Sequence, residues 1–175
     1  TSESAGDGDK TEETRGVQDY WAVKIDSSGS KVWDKRFGGT SADTLSAIAA
    51  SADGGFLLAG ISDSGVGGDK TESAQGSTDY WAVKIDSAGA KSWDHRYGGN
   101  GSETFGGAVA TSDGGFLLAG GSASAIGGDR SEDTRGGSDY WATKVSAGGI
   151  VSLSVTDADP GDILTWSVSA DASNG

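Results

Sequence analysis

Apolar and polar residues alternate along short stretches of this chain. Between Asp79 and Asp86, Trp81, Val83 and Ile85 fall on one face, and Tyr80, Ala82 and Lys84 on the other. A period of two marks a β-strand, because successive side chains point to opposite faces. Similar patterns predict strands near Leu45 to Ser51, over about Gly55 to Ser62, and near Lys91 to Tyr97, where Trp93 and Tyr97 share a face. Asp53-Gly54 predicts a hairpin turn between the first two, since both residue types tolerate positive φ. A glycine- and acid-rich loop, roughly Asp63 to Thr78, separates the second strand from the third. Ser87-Ala88-Gly89 turns the chain before the fourth, which ends at Gly98-Gly99.

This pattern repeats. Asp19-Tyr20-Trp21-Ala22-Val23-Lys24-Ile25 returns at Asp79, and again, with Thr143 and Val145 as its changes, at Asp139, a period of 60 residues. Asp53-Gly54-Gly55-Phe56-Leu57-Leu58-Ala59-Gly60 returns at Asp113 with the same period. The loop Gly8-Asp9-Lys10-Thr11-Glu12 has copies at Gly68 and, as Gly-Asp-Arg-Ser-Glu, at Gly128. No gap is needed anywhere.

Four short antiparallel strands per unit, repeated, predict an all-β fold of tandem propeller-blade-like sheets. Each small sheet buries its faces by stacking on a neighbour. The aromatic residues Trp21, Trp33, Phe56, Trp81, Trp93, Phe116 and Trp141, with Trp166 of the tail, are therefore expected to pack between repeats. A propeller needs about four to eight blades. Residues 1–146 hold a partial unit (1–39) and units at about 40–99 and 100–146, so the chain is not expected to close a ring alone. Because it opens in mid-repeat, it reads as part of something longer.

Composition agrees with many turns and little core: 31 glycines, one proline, and 34% hydrophobic residues. The six tryptophans argue against disorder. A net charge of −13 repels nucleic acid and anionic lipid, and no apolar run reaches membrane length. With no cysteine there is neither a disulfide framework nor thiol chemistry.

These motifs resemble a class of repeats in secreted proteins of Bacteroidota and related bacteria, whose units run DYWVVK, then DGG followed by Phe or Tyr, then GGDK. The matching stretches are Asp19 to Gly39, Ala52 to Gly60 and Gly67 to Glu72, with their copies. The resemblance covers about residues 1–146. It implies propeller-type modules of large surface or secreted chains, and carries over no catalytic residue.

After Lys144 the repeat breaks: Ile150 to Thr156 replaces the expected Trp-Asp-x-Arg-x-Gly-Gly. Residues 147–175 read as a β-hairpin, since Val151, Leu153 and Val155 alternate, as do Leu164, Trp166 and Val168. The tail is similar to the opening of cadherin-like and immunoglobulin-like adhesin modules. Its two readings are a truncated module and a hairpin that supplies the strands missing from the third unit.

Candidate chemistry is sparse. The one histidine, His95, stands where the preceding copy has Lys35. There is no zinc-ligand set and no G-x-S-x-G elbow, so no catalytic residue is assigned and an enzyme is not expected. Calcium is the better hypothesis, since Asp, Glu and backbone carbonyls are hard oxygen ligands. One candidate is the repeated loop, with Asp9 and Glu12, Asp69 and Glu72, Asp129 and Glu132. The other is Asp157, Asp159 and Asp162. The same loop side chains also suit local turn chemistry, bonding nearby N–H groups, and that reading is favoured. Lys24, Lys84 and Lys144 have Asp34, Asp94 or loop acids as candidate partners, with simple solvation as the alternative, and Arg36 and Arg96 are placed to clasp loop carboxylates bidentately. Asn100-Gly101-Ser102 is a formal glycosylation sequon.

The function these readings favour is a non-enzymatic structural repeat protein of the cell exterior, associating head to tail with itself. The alternative is a glycan- or protein-binding module of a large secreted adhesin, stabilised by calcium.

Overall fold

The protein is described here by a computed structural model, covering residues 1–3, 6 and 8–156. Residues 157–175 lie outside the described residues. They contain Asp157, Asp159, Asp162, Trp166 and the second strand of the hairpin expected for the tail.

The described chain is all β, in antiparallel sheets that do not close on themselves. Strands β1 (Tyr20–Ile25) and β2 (Lys31–Phe37) form a two-stranded ladder. Strands β3 (Asp43–Ala50), β4 (Phe56–Ser62), β5 (Asp79–Ile85) and β6 (Lys91–Tyr97) form a four-stranded meander in chain order. Strands β7 (Glu103–Ala110), β8 (Phe116–Ser122), β9 (Asp139–Val145) and β10 (Val151–Thr156) form the next. No helix occurs among the described residues.

The two meanders share register down to their irregularities. The ladder between β3 and β4 shifts at Leu45/Ala47, and that between β7 and β8 at Phe105/Gly107. Such bulges increase local twist, so both sheets twist at the same place. Strand β10 takes the fourth position despite its changed sequence: Leu153 lies opposite Lys144 as Trp93 lies opposite Lys84.

Alternation decides what stacks. Trp81, Val83 and Ile85 of β5 pack with Leu58 against Tyr20, Ala22 and Phe37 of the first sheet. From the opposite face, Tyr80, Ala82, Leu57 and Ala59 pack against Phe116, Leu118, Trp141 and Val145 of the third. The middle sheet is thus buried on both faces, and every residue of β5 is buried.

Tyrosine fixes each junction. Tyr20 Oη donates to the Trp81 carbonyl at 2.9 Å, its ring 4.8 Å from the Trp81 ring. One repeat later, Tyr80 Oη donates to the Trp141 carbonyl at 3.3 Å, and the rings stack at 5.0 Å. Burial pushes the hydroxyl pKa of both tyrosines up, so each stays a donor. Fourth-strand indoles reach across as well. Trp33 Nε1 donates to the Ser87 carbonyl and Trp93 Nε1 to the Ala147 carbonyl, at 3.2 and 2.9 Å.

Truncating a junction aromatic removes buried surface from both sheets. Trp81→Ala is expected to lower unfolding free energy by about 3–5 kcal/mol, read by chemical denaturation. Trp21→Ala, at the half-buried counterpart in β1, should cost clearly less.

Candidate functional site

All long loops gather at one end of the stacked sheets, where β3 and β5 begin and β4 and β6 end. That end carries a buried charged layer. The sequence motifs supply its members at fixed places: the Asp that opens the third strand, the basic residue of the loop, the acid that opens the first strand, and the Arg of the fourth.

Four of the loop carboxylates proposed as calcium ligands, those of Glu12, Asp69, Glu72 and Asp129, turn to partners within the chain. Asp69 Oδ2 accepts from Arg15 Nη1 at 2.7 Å and from the Gly38 N–H at 3.3 Å. Asp129 Oδ2 accepts from Arg96 Nη1 at 3.2 Å and from the Gly98 N–H at 3.0 Å. The first contact joins the loops of neighbouring units and the end of β2, and the second joins a loop to the neighbouring sheet's β6 and its end. Glu12 meets Arg36 at 3.3 Å, and Glu72 accepts from the Arg96 N–H at 2.9 Å. The carbonyls of Asp9 and Asp69 accept from Lys31 and Lys91, each at 2.6 Å. The Glu132 carbonyl accepts from Arg130. In the second loop Asp69 and Glu72 therefore face different groups. Among the described residues no group of three or more acidic or histidine side chains is arranged to hold a metal.

Other partnerships differ in detail from expectation. Lys84 and Lys144 pair with the hairpin-turn carboxylates Asp53 and Asp113, each at 2.8 Å, rather than with a fourth-strand Asp. The turn places Asp53 beside Lys84 because β4 and β5 are neighbours. Lys24 donates instead to the Ser87 carbonyl. Asp34 and Asp94 receive the indole N–H of Trp21 and Trp81 and the loop N–H of Thr11 and Thr71. Burial pushes the Asp34 carboxyl up, but the Thr11 N–H, Lys31 and Trp21 outweigh it and hold it at about 2. Arg36 and Arg96 meet carboxylates through single nitrogens, not bidentate forks. His95 is half-buried, 3.3 Å from Glu72, with its ring 5.6 Å from that of Trp93. Asn100 is exposed, and its side-chain oxygen accepts from the Ala125 N–H.

Of the packing aromatics, Trp81, Trp141 and Phe116 are buried in the junction clusters, and Trp33, Phe56 and Trp93 pack against them half-buried. Trp21 is half-buried on the open outer face of β1.

Sequence reasoning missed the heart of the charged layer. Asp79 and Glu103, both fully buried, meet at the junction of the second and third sheets. A methyl group added at Gly98 would stand 2.2 Å from Asp79 Oδ1 and 2.7 Å from Glu103 Oε2, so both oxygens crowd the same glycine. Neither has another hydrogen-bond partner. Glu103 Oε1 accepts from Ser122 and Ser124, at 2.6 and 2.5 Å. Arg96 Nη1 stands 4.0 Å from Asp79. Burial pushes the Asp79 carboxyl up to about 7, and Glu103 pushes the same way by hydrogen bond and charge. One proton held between the two carboxyls satisfies both oxygens. Lys70 is buried nearby, its ammonium 5.4 Å from the Trp81 ring centre. The signal was present as Lys10, Lys70 and Arg130 at one repeat position, a basic residue kept where a turn alone does not need one.

No protein-family model matches the chain, and no curated protein matches it either.

The carboxyl pair predicts a pH dependence. The unfolded chain releases an Asp proton near pH 4, whereas the fold keeps it to about pH 7. The stabilisation is complete below pH 4 and is lost as pH rises through 7. Tm should therefore fall between pH 5 and pH 8. In Glu103→Gln, where an amide donates to an ionised Asp79, the fall should be smaller and Tm at pH 8 higher by thermal melt. Melts with and without a calcium chelator are expected to coincide.

Proposed function

We propose that the chain is a non-enzymatic structural repeat protein of the cell exterior that associates head to tail with copies of itself. The observation that carries this reading is the contrast between interior and terminal copies of one surface. Val83 and Ile85 are 0% exposed, whereas Val23 and Ile25, their counterparts on the first sheet, are 40% and 62% exposed. Tyr20 and Tyr80 are 0% exposed, but Tyr140 is 76% exposed on the far face of the third sheet. The two open faces thus carry the two halves of the junction that joins the sheets inside the chain.

The geometry of those internal junctions supports a specific contact: the Tyr140 hydroxyl donating to the Trp21 carbonyl of a second copy. A face that meets a different face is a heterologous contact, which yields a ring or an open filament according to whether the rotation closes. The extracellular setting rests on the resemblance of the motifs, and the acidic surface suits solubility at high concentration.

A second reading, a binding module within an adhesin, is favoured by one observation. Val66 and Ile126 occupy the same loop position in successive units and are 66% and 60% exposed. Loops on a rigid scaffold are the usual seat of recognition.

Sedimentation velocity and electron microscopy test the leading reading. The native chain is expected to form concentration-dependent assemblies. Tyr140→Asp, which buries a charge in the contact, should leave monomers with an unchanged circular dichroism spectrum. Tyr140→Phe should weaken association by about fivefold, the worth of one hydrogen bond near 1 kcal/mol. Native chain that stays monomeric at every concentration would refute the proposal.

A further inference from the structure

Among the described strands, β1 has a neighbour on one side only. Its counterparts are flanked twice, β5 by β4 and β6, and β9 by β8 and β10, whereas β1 pairs with β2 alone. On the open side one rung is already in place. Ser2 and Asp19 exchange backbone hydrogen bonds of 3.0 and 3.2 Å. That rung is the counterpart of Ser62 opposite Asp79 and Ser122 opposite Asp139. Beyond it, the edge from Tyr20 to Ile25 has no described strand beside it.

An apolar groove of about 420 Å³ runs along this edge, lined by Trp21, Val23, Leu45, Ile48 and Phe56 among others. The next junction shows what covers such a surface. There Phe105, Ala108 and Phe116, the counterparts of Leu45, Ile48 and Phe56, pack against Ala49, Leu57 and Ala59 of the β3–β4 hairpin. At the first junction no described residue supplies that cover, and Ile48 is 59% exposed.

We infer that the open edge of β1 and its groove form a strand-addition site for a β-hairpin of the β3–β4 type. Its closing strand pairs with β1 through the main chain. Alternate small or aliphatic residues, as at Ala49, Leu57 and Ala59, cover Leu45, Ile48 and Phe56. A glycine lies opposite Trp21, as Gly60 and Gly120 lie opposite Trp81 and Trp141. In such recognition the ladder supplies affinity and the alternating side chains supply specificity. The site adjoins the Tyr140 contact at Trp21 and Val23, but it uses the edge of β1 and the face of the second sheet, and its occupation does not require Tyr140.

The test uses the full chain carrying Tyr140→Asp, so that self-association and hairpin capture are read apart. The probe is a synthetic peptide of residues 42–60, which contains no tryptophan. Binding should shift the emission of Trp21 and Trp33 to the blue and saturate. Amide exchange over residues 20–25 should slow by about tenfold or more. The peptide with Ala59→Pro, which breaks the ladder, should do neither, and Ile48→Glu in the protein should abolish capture. Three results overturn the inference: no binding of the native peptide, equal binding of the proline peptide, or protection that appears only outside β1.

Discussion

The structure depends on one constraint: a small twisted sheet with two apolar faces can shelter neither by itself. Each face must be covered by another sheet, and the cover must satisfy the polar atoms it traps. A tyrosine packed ring to ring on the neighbour's third-strand tryptophan does both. Its ring excludes water, and its hydroxyl meets a carbonyl of the strand it covers. Because the pair recurs with the repeat, one local solution serves every junction. A chain with only 34% hydrophobic residues can then fold without a single large core.

The charged layer at the loop end complements this packing. Buried carboxylates and cations contribute little net stability against apolar substitutes, but a mismatched one costs several kcal/mol. Arg15 to Asp69 and Arg96 to Asp129 each tie one unit to the loop of the next. A sheet stacked out of register would leave the largely buried Arg96 without its carboxylate, whereas Arg15 would turn to water. The layer therefore favours a single alignment of neighbours, whereas alternating aliphatic faces alone would accept several.

Much of the fold was legible in the sequence, because strand alternation and turn residues are local signals. The strands read near Leu45, Gly55, Asp79 and Lys91 lie within a few residues of β3 to β6. Of the aromatic positions named for packing, Trp33, Phe56, Trp81, Trp93, Phe116 and Trp141 fall in or beside the two clusters, whereas Trp21 lies on the open outer face of β1. What local pattern could not reveal is which distant charges meet. Lys84 looked equally placed for Asp94 or for a loop acid, and only the adjacency of β4 and β5 selects Asp53. Likewise, Asp79 and Glu103 are far apart in the chain, and nothing near either one announces a shared proton.

The thickness of the layer between sheets is uneven. Near the first strands, the second and third sheets meet through the small residues Ala49, Ala59 and Ala108 and a single phenyl ring, Phe105. Near the fourth strands, whole indoles intervene: a methyl group at Gly89 or Gly149 would lie about 3 Å from the ring of Trp33 or Trp93. Side chains graded from alanine to tryptophan make each gap a wedge. Successive sheets must splay, so any stack of them bends into an arc, with the alanine side on the inner curve and the tryptophans on the outer.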